Sequence, residues 1–429
     1  RASASFTTVL SSSNQSVDNT SFTGIALLKS SIELTGCMLN GNRLIAAVAS
    51  HYYSDNTLAE LIPQITDSDG DGYNDCLEGQ FGSDIRDRGS IPPVISSPAY
   101  STWNGFFGMV NILELTNRSA VRTMATVSLF GLDGQLIDSF KVKIEANSQS
   151  DLILSDRSKF QGNSYGLVKV NFTGSIDGRV TIYKSGSGAM DSFDFAYALP
   201  LVNALRGASS VGFNTNFPGT NPDSSFVANW LSIINLGEQK QRFVVTKYDR
   251  QGNILRSRIY ALKARGRMDL EGGHVEPGLN QIGLITVRPQ SSKLPYLAQL
   301  TRYGLEKSDV GVNFAYALLA QAESKQIIGG FITNEQNIAN YLEILNPSAT
   351  KATAQVNCFS SLGSAVYSRS MEISTHAQVH LAASQFLGST SATGSCTVQD
   401  ISGNGILAYT MYYHPHTGTG EIVSISGET

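Results

Sequence analysis

Hydrophobic and polar residues alternate with a period of two along much of this chain. Leu113 and Leu115 alternate with Glu114 and Thr116, and Ala125, Val127 and Leu129 with Thr126 and Ser128. A Gly-Leu-Asp-Gly turn at 131–134 then leads into Leu136–Phe140. This period puts one face of a strand on a core and the other in water, and the turn joins two half-buried strands as a hairpin. Further strand-sized stretches follow at Ser150–Leu154, Leu167–Phe172, Arg179–Tyr183 and Phe195–Leu199. Their spacing predicts a β-sandwich of about 100 residues.

The unit recurs. Asn111-Ile-Leu-Glu-Leu-Thr-Asn117, Asn229-Trp-Leu-Ser-Ile-Ile-Asn235 and Asn340-Tyr-Leu-Glu-Ile-Leu-Asn346 share Asn, Leu two on, Leu or Ile four on, and Asn six on. Gly134, Gly252 and Gly363 each lie 23 positions after the first Asn, and the steps are 229 − 111 = 118 and 340 − 229 = 111 residues. A period of this kind marks tandem copies of one module. The predicted fold class is all-β. Three tandem β-sandwich modules are expected at 98–205, 206–323 and 324–429. A β-rich N-terminal segment at 1–66 and a loop and Pro-containing linker at 67–97 precede them. The N-terminal segment carries strand-like stretches at Phe6–Leu10, Gly24–Leu28 and Ser31–Leu34, and a short helix is predicted near Thr57–Leu61, stopped by Pro63.

Leu113-Glu-Leu-Thr-Asn-Arg-Ser119, the hairpin turn Asp133–Leu136 and the polar stretch Asn147–Leu152 carry a resemblance. In them residues 98–429 resemble an uncharacterised β-sandwich repeat of large bacterial secreted and surface proteins. The resemblance implies immunoglobulin-like modules used in extracellular architecture. It implies no chemistry.

Residues 67–78 read Asp-Ser-Asp-Gly-Asp-Gly-Tyr-Asn-Asp-Cys-Leu-Glu. With Asp67 at loop position 1, Asp69, Asp71, Asp75 and Glu78 fall at positions 3, 5, 9 and 12, the Tyr73 carbonyl at 7 and Gly72 at the sharp turn. That is the ligand order of an EF-hand-type Ca²⁺ loop, in which a hard cation takes six to eight oxygens. Without the ion, five carboxylates crowd one short loop and repel. The stretch Asp67–Asp84 resembles the calcium repeats of thrombospondin type 3, with Ile85 where Pro is usual. The expected cofactor is one structural Ca²⁺ that stiffens the joint between residues 1–66 and the modules. Its affinity falls in the extracellular range of about 10⁻⁴–10⁻³ M.

Charge narrows the partners. Only 15% of residues are charged and the net charge is −4, with no Lys/Arg cluster, so nucleic-acid binding has no electrostatic basis. No apolar run reaches the roughly 18 residues of a membrane-spanning helix. The chain begins at Arg1 without a signal-like apolar region, so a secretory signal is expected to have been removed. Four cysteines allow three pairings. The pairs Cys358–Cys396 and Cys37–Cys76 are expected, with similar separations of 396 − 358 = 38 and 76 − 37 = 39 residues. Cys358 also aligns with the core-facing Leu129, although the second copy has Lys247 there.

Candidate chemistry is sparse. His376 and His380 sit four apart in a strand-like stretch, where they would share a face but lie far apart, and they align with Asn147 and Asp151 and with Arg265 and Asp269, so they read as variable scaffold positions. His414-Pro-His416 reads as a turn. Trp103, Trp230 and the Tyr409–Tyr413 cluster are either sugar-stacking or core residues. No catalytic motif occurs in a strand–helix setting. The expectation is a non-enzymatic extracellular protein of a bacterial surface or filament, calcium-stiffened, self-associating into a polymer or surface layer, and adhesive. Arg1–Ser16 is the expected donated strand. The alternative is a non-catalytic carbohydrate- or protein-binding region of a secreted hydrolase, with a glycan or cell-surface ligand.

Overall fold

The computed structural model describes residues 25–28, 31–40, 43–49, 68, 86, 97–118, 122–157, 159–160, 162–173, 176–185, 193–216, 225–306, 312–322, 326–333, 339–360, 362–385, 393–413 and 424–426. Among them every regular element is a strand or a single 3-10 turn. The protein is all-β, with its strands in one three-stranded and six four-stranded sheets. The predicted short helix near Thr57–Leu61 lies outside the described residues.

The first module holds β4 (Ala99–Asn104), β5 (Val110–Asn117), β6 (Thr123–Gly131), β7 (Leu136–Ile144), β8 (Ser148–Ile153), β9 (Tyr165–Phe172), β10 (Ile176–Ser185) and β11 (Phe193–Pro200). Its sheets run β4-β9-β6-β7 and β11-β10-β5-β8, all antiparallel. The second holds β12 (Ser209–Asn214), β13 (Ser225–Asn235), β14 (Gln241–Tyr248), β15 (Ile254–Leu262), β16 (Arg267–Glu271), β17 (Ile282–Pro289), β18 (Tyr296–Glu306) and β19 (Val312–Leu319). Its sheets run β12-β17-β14-β15 and β16-β13-β18-β19. The third holds β20 (Gln326–Thr333), β21 (Ala339–Leu345), β22 (Ala352–Ser360), β23 (Ala365–Ile373), β24 (Gln378–Ala382), β25 (Thr393–Asp400), β26 (Leu407–Tyr413) and β27 (Ser424–Ser426). Its sheets run β20-β25-β22-β23 and β24-β21-β26-β27. Each module is a two-sheet sandwich.

The alternation read from the sequence is the inside–outside pattern of these strands. Leu113, Leu115, Ala125, Val127 and Leu129 are all buried. β7 departs from a half-buried strand: it is mostly exposed, because it is the outer strand of its sheet and has core beneath only its last residues, Val142 and Ile144.

The repeated asparagines are buried polar ties. Asn111 Oδ1 accepts the Asn104 N–H at 2.8 Å and Nδ2 donates to Asn104 O at 2.7 Å, so one amide joins β5 to the facing sheet. Asn229 makes the same pair with Asn214. The second asparagine of each copy fastens the far end of the hairpin. Asn117, Asn235 and Asn346 donate to the carbonyls 27 and 28 residues on: Ile144 and Glu145, Leu262 and Lys263, Ile373 and Ser374. A buried carbonyl without a partner is unfavourable by a kilocalorie or more, which explains why an amide stands here three times. Gly134, Gly252 and Gly363 all have positive φ in the hairpin turns, a backbone region that glycine enters without strain.

The chain divides into two compact units, Val94–Ala322 and Arg1–Pro93 with Glu323–Thr429. In the second unit, β1 (Ile25–Leu28), β2 (Ser31–Asn40) and β3 (Arg43–Ala49) form the three-stranded antiparallel sheet. Cys358 and Cys396 lie opposite each other on β22 and β25 and form a disulfide in the third module. The expected Cys37–Cys76 pair lies outside the described residues, because Cys76 does.

Candidate functional site

The first and second modules meet in one unit through a buried junction. The outer face of β4-β9-β6-β7 lies on the outer face of β16-β13-β18-β19. Tyr100, Phe130 and Leu167 pack with Ile234, Leu236 and Leu297. Arg267 crosses this contact and is only 6% exposed. Its Nη1 donates to Trp103 O at 3.1 Å and Gly166 O at 3.2 Å, and its Nη2 to Ser232 Oγ at 2.9 Å. Asp269 takes the guanidinium with both carboxylate oxygens, at 2.9 and 3.0 Å, and the Tyr165 ring lies 4.5 Å from it. A planar five-donor cation satisfies all of these at once, which an ammonium cannot. Gln299 Nε2 donates to Thr102 Oγ1 at 2.9 Å, and Asn104 Nδ2 to the Tyr303 hydroxyl at 3.0 Å. Burial pushes the Tyr303 pKa well above the ordinary phenol value, and the neighbouring Tyr197 adds to it, so this hydroxyl stays a neutral link. Gly134 sits so close to Ala264 O that no Cβ fits there.

The same face in the first module is different. Thr116, Arg118 and Asp177 stand where the second module has Ile234, Leu236 and Leu297. These are partly exposed, and Arg118 pairs with Asp177.

A cluster unique to the second module occupies the end of its core. Lys247, 6% exposed, takes the place of Leu129 and Cys358. Its Nζ contacts Glu271 Oε2 and donates to Glu276 O at 2.7 Å. Glu271 Oε1 accepts the backbone N–H of Gly273 and, at 2.9 Å, of Val275. Burial pushes the Glu271 carboxyl up, but Lys247 and these N–H groups outweigh it and hold it below the usual range. His274 accepts the Asn229 N–H on Nδ1 at 3.1 Å, and its ring lies 5.1 Å from that of Trp230. Burial pushes the His274 pKa down, against the opposing charge of Glu271. The sequence reading found no such copy-specific group, because its members come from β14, β16 and the following loop.

The residues singled out from sequence fall as follows. Asp67, Asp69, Asp71, Tyr73, Asp75 and Glu78 all lie outside the described residues; Ser68, between two of them, is exposed. His376 has a positive φ of 55°, as do its counterparts Asn147 and Arg265 at 50° and 56°, so it is a turn position. His380 lies opposite the fully buried Glu343, with Nε2 3.7 Å from Oε1, and Gln378 contacts both. His414 and His416 lie outside the described residues. Trp103 is core, with Nε1 donating to Phe130 O at 3.0 Å. Tyr409 is core as well, whereas Trp230 is 39% exposed.

No family model matches the chain, and no curated protein matches it. Among solved structures, it is similar to a β-glucuronidase from glycoside hydrolase family 2 at 10% identity over 54% of this chain, with a TM-score of 0.12. It is also similar to a Bifidobacterium dentium β-glucuronidase complexed with coumarin-3-O-glucuronide, at 12% identity over 71% of this chain, with a TM-score of 0.13. The chain spans 24% and 50% of the lengths of these two enzymes. At such scores the likeness assigns neither fold nor activity.

Proposed function

We propose that this chain is a non-catalytic, extracellular structural protein of a bacterial surface or filament, built of immunoglobulin-like modules and stiffened by calcium. The observation that carries this reading is the Arg267 junction. A strung array of independent binding modules has no use for a cation buried between two of them, whereas a load-bearing or spacing element does. Inter-domain contacts that are large and partly apolar suppress relative motion. The thrombospondin type 3-like loop Asp67–Glu78 would hold one Ca²⁺ and stiffen the remaining joint. Self-association proceeds through the modules and through strand donation by Arg1–Ser16.

Electron microscopy of the purified chain, with calcium and with chelator, tests the reading. Ordered polymers or sheets that need calcium and residues 1–16 are expected. A monodisperse monomer under all conditions, or turnover of any member of a glycan and peptide panel, overturns it.

A further inference from the structure

We propose that the first module carries a saccharide-binding groove at the tip of its β6–β7 hairpin. The groove is an open depression of about 750 Å³. Phe160, Ile137 and Leu136 supply its apolar surface, and Asp133, Gln135 and Lys159 its polar rim.

The apolar part is held rigid from behind. The Phe160 ring lies 4.7 Å from that of Trp103, which is fully buried and fixed through its Nε1 bond to Phe130. The Phe160 N–H also donates to Arg157 O at 2.9 Å. Leu136, by contrast, is 57% exposed, so an apolar side chain stands in water at the groove edge without a core to fill.

The rim offers both kinds of hydrogen-bonding group. Asp133 spends Oδ1 on the Gln135 backbone N–H at 3.1 Å, which fixes the carboxylate while its other oxygen remains an acceptor. The Gln135 side-chain amide has no bond among the described residues and supplies a donor and an acceptor. Lys159 Nζ, 3.7 Å from Asp138 Oδ1, is a further donor.

These groups select the ligand class. A sugar ring has one face of C–H groups and an equator of hydroxyls that donate and accept. It fits a fixed aromatic ring flanked by a mixed rim. A purely apolar ligand would strip water from Asp133 and Lys159 without return. The two charges are of opposite sign and give no field for a phosphate or polyanion. An extended peptide adding to β7 would meet Asp138, Lys141 and Lys143 along that strand, charges of the kind that guard a sheet edge. The occupant is therefore a neutral saccharide.

The polar rim sets the groove apart from the other copies. The loop that contains Lys159 and Phe160 is replaced in the second module by residues 272–281, which include no Phe, Tyr or Trp, and Asp133 by Gln251 there and Leu362 in the third module. The apolar part follows the common frame: the exposed Leu136 recurs as the exposed Ile254, and the third module's loop carries Phe386.

Calorimetric titration of the full chain with cello-, xylo- and chito-oligosaccharides tests the proposal, with a uronate oligosaccharide and a peptide of residues 5–11 as comparisons. At least one neutral saccharide is expected to bind. Gln135→Ala and Phe160→Leu, the second keeping an apolar contact on Trp103, are each expected to weaken it about tenfold, the scale of one aromatic or polar contact. A circular dichroism spectrum matching the parent confirms the fold of each variant. No neutral saccharide binding, binding that survives both substitutions, or binding of the uronate or peptide alone overturns the proposal. Calcium-dependent assembly is read separately by microscopy and does not depend on the groove.

Discussion

Cys358 and Cys396 face each other across β22 and β25 at the position that Lys247 and Ile285 hold in the second module and Leu129 and Val168 in the first. One core position is thus filled by a disulfide, by a buried cation and by an apolar pair. Closing the 38-residue separation stabilises the third module by about 4 kcal/mol in the chain-entropy model. Cys358→Ala with Cys396→Val should lower the unfolding temperature of the third module and leave the other two unchanged, as read by calorimetry. A single unshifted transition would contradict this.

The Lys247–Glu271 pair should respond unequally to losing either partner. Glu271→Ala strands an ammonium in the core and should cost about 3 kcal/mol. Lys247→Leu restores the apolar residue of the first module, and Glu271 keeps its backbone donors, so the change should lie within about 1 kcal/mol of neutral. Chemical denaturation of both variants measures the difference.

Arg267→Ala should uncouple the first two modules. It removes the donors to Trp103 O and Gly166 O and leaves Asp269 unpaired, a loss of about 3 kcal/mol or more. Arg267→Lys should recover little, because one ammonium cannot span these acceptors. Calorimetry should show one shared transition in the parent and two in the variants.

Stability of the second module should fall in mild acid. The His274 pKa is depressed in the folded protein, so the unfolded chain binds a proton that the folded one refuses. The contribution is whole above the unfolded value of about 6.5 and is lost as pH falls through the folded pKa. Glu271, also depressed, acts the same way lower down, below the ordinary carboxylate range. His274→Asn, which still offers an acceptor to Asn229, should flatten the upper part of the pH–stability curve and leave the lower part in place.

Asp69→Ala should abolish a calcium-binding isotherm that the chelator-treated parent shows. Absence of heat and of stabilisation in millimolar calcium would remove the Asp67–Glu78 loop from the functional account.

The fold was legible because its determinants are periodic. Leu113, Leu115, Ala125, Val127 and Leu129 alternate, and the paired asparagines repeat at fixed steps. Alignment of the copies placed Cys358 in the core. It did not place His376, which the strand-like pattern assigned to the same strand as His380 and which lies instead at the turn before it. What alignment cannot supply is contact between sheets. Lys247 meets a carboxylate 24 residues away on the opposite sheet, and Arg267 meets carbonyls in another module. The groove joins two loops of no common period. Such contacts depend on three-dimensional closure and leave no local pattern.

The bond from Asn117, Asn235 and Asn346 to a carbonyl always 27 residues on acts as a ruler. It fixes how many residues the hairpin strands and their turn contain, whatever side chains they carry. The copies differ in length, at 118 and 111 residues per step, yet none of that difference falls inside the ruled span. Insertions and deletions are thereby steered to the later loops, where new surfaces can be tried without disturbing the frame.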